Sequence, residues 1–97
     1  MPAYVIVGDV VTDDERLHAY ARLVPTTLEP FGGQLLVRGG RIDVVEGDWR
    51  VPRTVIIAFP SVDDAWKWYQ SDAYQEIIEL RNEAADTGYL VIAEGVD

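Results

Sequence analysis

The chain has no cysteine and one histidine. Without thiols there is no disulfide framework and no thiolate to act as nucleophile or ligand. One imidazole is too few for the usual zinc constellations, so no metal site is expected. The sequence also lacks a G-x-G-x-x-G run, a P-loop, an H-E-x-x-H pair and a G-x-S-x-G elbow. Each of these places a phosphate, metal or acyl group by fixed geometry, and without them no cofactor is expected. No apolar run reaches the roughly 18 residues that a membrane helix needs. Met1-Pro2-Ala3-Tyr4 has neither the basic nor the apolar region of a secretory signal, so a cytoplasmic location is expected. Positive charge is scarce: 8 Lys and Arg face 17 Asp and Glu, for a formal charge of −9. That balance argues against nucleic acid or an anionic membrane as partner, since both require a basic face.

What is present is a one-domain length of 97 residues, 48% apolar, with three Trp and five Tyr. Residues 1–97 are read as a single domain. Tyr4–Val11 is a β-branched run of strand length. Thr12 and Glu15 have the spacing of a capping box, and the acids around them suit a helix N-terminus. Leu17, Tyr20, Ala21, Val24, Leu28 and Phe31 then recur at helical spacing. Pro25 interrupts this stripe, which predicts a kink or break near Leu23 and Val24. Gly32-Gly33 closes the helix.

Gln34–Arg38 and Ile42–Glu46 are extended stretches around Gly39-Gly40, which suit either a tight hairpin or a bulge in one long strand. Thr54–Phe59 is a third strand. Ser61 and Ser71 are placed to cap two successive helices, and Tyr89–Ala93 is the last strand, with Gly88 as the turn before it. The order is β-α-β-β-α-β, an α+β ferredoxin-like sandwich on an antiparallel sheet.

In that fold the first and third strands are central, and YVIV and TVIIAF are the most continuously apolar runs. Two helices cover one sheet face only. Yet both faces of these strands are apolar: Tyr4 and Ile6 point one way, Val5 and Val7 the other. At about 25 cal/mol per Å², roughly 500 Å² of such surface is worth around 12 kcal/mol before association costs. The pattern predicts a homodimer packed sheet to sheet.

GGQLLVRGG, EGDWRVPR and FPSVDDAWKWYQSDAY with a following LR resemble the domain-of-unknown-function 1330 family; with AYVIV and YLVIAEG the likeness spans nearly the whole chain. The resemblance implies membership of the dimeric α/β-barrel superfamily, and a bulged long strand at Gly39-Gly40. That superfamily includes cofactor-independent monooxygenases, lactone isomerases, haem-handling proteins and members with no known activity. The resemblance carries no catalytic residues with it.

The candidates for chemistry therefore come from the residues themselves. His18 is the one side chain that ordinarily titrates near neutrality, at the edge of the first helix's apolar stripe, and is the candidate acid or base. Arg38, at a strand end beside glycine backbone, is suited to a carboxylate or phosphate. Arg81 interrupts the apolar stripe of the last helix and must find a partner or reach the rim. Trp49, Tyr69 and Tyr74 complete a set of ligand-binding candidates with Arg38 and Arg81. Each has a structural alternative: an ion pair of Arg38 with Asp43 or Glu46, a pairing of Arg81 in the core, a turn or dimer clamp for Trp49. Two functions are compatible with this set. One is a small-molecule site between sheet and helices, binding or transforming a carbonyl or aromatic compound without a cofactor. The other is a non-catalytic dimeric module for protein interaction.

Overall fold

The computed structural model describes residues 1–96. Its elements are β1 (Ala3–Val11), α1 (Asp14–Leu28), a 3-10 turn (Glu29–Phe31), β2 (Gln34–Arg38), β3 (Arg53–Phe59), α2 (Val62–Gln70), α3 (Asp72–Ala84) and β4 (Ala85–Glu94). The four strands form one antiparallel sheet in the order β2-β3-β1-β4, with β1 and β3 central. This is the ferredoxin-like α+β arrangement that the order of periods predicts.

Alternation on the strands decides the two faces. Val5, Val7, Val55, Ile57 and Phe59 point to the helices and are buried. Leu17, Tyr20, Val24 and Leu28 of α1 meet them, with Trp68 of α2 and Tyr74 and Ile77 of α3 closing the core. The other face carries Ile6, Val37 and Ile56, which are only half-buried.

Local features depart from expectation at four places. The N-cap of α1 is Asp13 rather than Thr12, its carboxylate accepting from the Arg16 N–H at 3.2 Å. The N–H groups of Thr12 and Asp13 both reach the Ala84 carbonyl at the end of α3, which holds Thr12 in the β1–α1 connection. Pro25 does not break α1, which runs on to Leu28. Proline removes one backbone bond, to the Ala21 carbonyl, and the buried Val24, Thr27 and Leu28 keep the last turn in place.

Gly39-Gly40 makes neither a hairpin nor a bulge. Gly39 takes φ +67°, gives its N–H to the Thr54 carbonyl at 2.9 Å, and the chain leaves the sheet. Ile42–Glu46 is not a strand, and the bulge of β2 lies earlier, between Leu35 and Val37. Gly88, finally, lies inside β4, which starts directly after α3. A Cβ there would stand 2.9 Å from the Val51 side chain, so the glycine serves a close approach rather than a turn.

Candidate functional site

β1 ends in a carboxylate that its hydrophobic run conceals. Asp9 has the same inward parity as Val5 and Val7, and its exposure is 0%. The pairing of β1 with β4 shifts register between Gly8 and Asp9, the kind of irregularity that re-aims a side chain. Across the sheet Asp9 faces Arg53, whose Nη1 donates to Oδ2 at 3.2 Å and to Oδ1 at 3.5 Å. Burial pushes the Asp9 carboxyl above its ordinary value of 3.8; the charges of Arg53 and then Arg81 pull the other way.

The helices bring a second polar group to the same place. Arg81 of α3 is buried, and its Nη1 donates to the Tyr74 hydroxyl at 2.9 Å. The Tyr74 hydroxyl lies 2.8 Å from that of Tyr20 on α1. Burial raises the pKa of both phenols, so both stay protonated at neutral pH. Arg81 forms no ion pair among the described residues, and its Nε is buried without a hydrogen-bond partner. A desolvated guanidinium with a free donor is a costly group, which attracts an acceptor.

Asp9, Arg53, Arg81, Tyr20 and Trp68 line one cavity between the sheet and α1, closed on the β2 side by Leu35 and Arg38. About 20 Å³ of it is open to water, room for one water molecule. Ala21 and Arg38 also line a groove of about 910 Å³ on the outside, with Glu15, His18, Arg22 and Pro25. Neither Arg22 nor Arg38 joins an ion pair among the described residues, although the chain carries 17 acids. The nearer acid in sequence, Asp43, is instead held by Arg41 at 3.0 Å.

The candidate residues thus divide. Tyr74 and Arg81 meet in the core, Arg38 stands between cavity and groove, and His18 is exposed in the groove, outside the cavity. Tyr69 packs against Tyr74 at 5.8 Å between ring centres and faces a different depression, beside Trp66, Leu90 and Ile92. Trp49 lies across the sheet: its indole N–H donates to the Thr54 hydroxyl at 3.1 Å and its ring meets Tyr89 edge-on. It clamps the β2–β3 connection to the outer face and does not join the cavity. Sequence reasoning passed over Asp9, Arg53 and Tyr20. A carboxylate at inward parity on a central strand was the available signal for Asp9, while its pairing with Arg53 needed the register.

No curated protein matches the chain. Among solved structures it is similar to a protein of unknown function from Rhodopseudomonas palustris, with a TM-score of 0.75 and 21% identity over 99% of this chain and 83% of that one. It is similar to a conserved protein from Methanosarcina mazei, with a TM-score of 0.58 and 19% identity over 99% and 94% of the two chains. A structure described as an antibiotic biosynthesis monooxygenase matches with a TM-score of 0.55 and 15% identity, over 98% and 99%. Likenesses at these identities establish the ferredoxin-like fold. The model of the domain of unknown function DUF1330 matches residues 2–96, and the chain belongs to that family.

Proposed function

We propose that this domain binds a small molecule, without a cofactor, whose polar group enters the cavity between sheet and α1, and that it does so as a homodimer. The observation that carries the reading is Arg81, a buried guanidinium with no carboxylate at ion-pair distance among the described residues and an Nε without a hydrogen-bond partner. A purely structural core gains nothing from such a group, since apolar side chains of similar volume pack as well or better. The small-molecule reading is supported further by the groove that shares Ala21 and Arg38 with the cavity and offers a way in. The homodimer is supported by the outer sheet face, where Val91 is 46% exposed beside half-buried Ile6 and Ile56.

The test is a thermal-shift screen of small carboxylates and aliphatic or aromatic carbonyl compounds at millimolar concentration, on wild type, Arg38→Ala and Arg81→Ala. At least one compound is expected to raise the wild-type midpoint, with the shift lost in Arg38→Ala, whose exposed side chain is dispensable for folding. The proposal is abandoned if nothing shifts wild type, or if both variants respond as wild type does.

A further inference from the structure

The hydrogen-bond polarity of the cavity, its size and the cations outside it together define a ligand class. Arg81 Nη1 can only donate, so the Tyr74 oxygen accepts from it. One phenol hydrogen then makes the Tyr74–Tyr20 bond and one is left over. Tyr74 is fully buried and lines no part of the cavity, whereas Tyr20 does line it. The arrangement that orphans no hydrogen in the core has Tyr74 donating to Tyr20, and Tyr20 keeping its own hydrogen for the cavity. Charge at Arg81 polarises that chain and makes Tyr20 the better donor.

The cavity therefore offers hydrogens, since Tyr20 and the guanidinium-bearing Arg81 both stand in its wall. Its one carboxylate, Asp9, already accepts from Arg53 through both oxygens. What fits is an acceptor. About 20 Å³ is room for a group the size of a water, and the Asp9 carboxylate in the wall disfavours a second anion there. A carbonyl oxygen accepts twice and brings no hydrogen that would need a further partner.

Outside, the groove is large enough for the remainder of a molecule, and among the described residues Arg22 and Arg38 stand there without ion pairs, with His18 beside them and Glu15 as the opposing charge. Guanidinium pairs of this kind match a carboxylate. Resting on the small-molecule reading above, we infer that the ligand is a small oxo acid: its carbonyl oxygen enters the cavity against Tyr20, and its carboxylate stays in the groove on Arg22 and Arg38.

The experiment compares 2-oxobutanoate, 4-oxopentanoate and 5-oxohexanoate with the parent alkanoates and the methyl esters of the oxo acids, by calorimetric titration. At least one oxo acid is expected to bind about fivefold or more tightly than both of its controls, the size of one or two hydrogen bonds. Tyr20→Phe should erase the preference over the alkanoate alone. Arg22→Gln with Arg38→Gln, both on the surface and harmless to folding, should erase the preference over the ester alone. Alkanoates binding as well as oxo acids, or esters binding as well as acids, would overturn the inference while leaving a small-molecule site in place. If no oxo acid binds, the inference falls also, and the small-molecule reading then stands or falls on the neutral compounds of the wider screen.

Discussion

Asp9 is the residue whose environment does most to shape the site. Its carboxylate is removed from water by the same strand parity that buries Val5 and Val7, and one guanidinium serves both oxygens. Desolvation outweighs Arg53, so the folded pKa lies above the ordinary 3.8. Between those two values the folded chain holds a proton that the unfolded chain has released. Stability from this group is therefore greatest on the acid side of that window, falls as pH rises through it, and is level above. Urea denaturation of wild type and Asp9→Asn from about pH 4 to pH 8 should show wild type losing stability relative to the variant as pH rises out of the acid range. The opposite slope would mean that Arg53 over-compensates burial and holds the carboxylate charged.

At the scale of elements, the junction of α2 and α3 holds the aromatic side of the site. Ser71 ends one helix and starts the next: its hydroxyl donates to the Trp68 carbonyl at 2.7 Å and accepts from the Tyr74 N–H at 3.2 Å. The two residues it ties are in ring contact, with centroids 4.2 Å apart, and Trp68 reaches on to α1 by donating to the Thr27 hydroxyl at 3.0 Å. Ser71→Ala removes both cap bonds and should cost about 1–2 kcal/mol, with Ser71→Thr recovering much of it. The urea midpoint reads this directly, and an unchanged midpoint for the alanine variant would show the junction held by ring packing alone. The serine spacing was readable from sequence. Continuity of α1 through Pro25 was not, because one lost backbone bond is weighed against packing that only the assembled core supplies.

For the whole molecule, the helices cover one face of the sheet and leave the other to whatever else is near. Ile56, central on β3 and cross-strand from Ile6 and Val37, is the position where a charge would most disturb a sheet-to-sheet contact. Wild type is expected to sediment at twice the chain mass and Ile56→Asp at the single-chain mass, with its helical circular dichroism retained. A monomeric wild type at micromolar concentration would remove the dimer from the proposal. The Ile42–Glu46 segment belongs to this scale too, since its extended pattern finds no ladder in its own chain and Val44 and Val45 remain 51% and 91% exposed.

Periodicity, capping serines and the two most apolar strands were enough to determine the order of elements, the central pair of the sheet and the inward stripe of α1. These are local properties, written at spacings of two and 3.6 residues. The polar centre of the domain is of another kind. Asp9 meets Arg53 across a sequence separation of 44 residues, and Arg81 meets Tyr20 through Tyr74, 54 residues from Tyr20. Such pairings carry no periodic signal, because each partner alone reads as an exception within an apolar run. Only packing α1 and α3 on the sheet decides that those exceptions share one cavity, that His18 and Trp49 stand outside it, and that Arg81 is left with a donor to give.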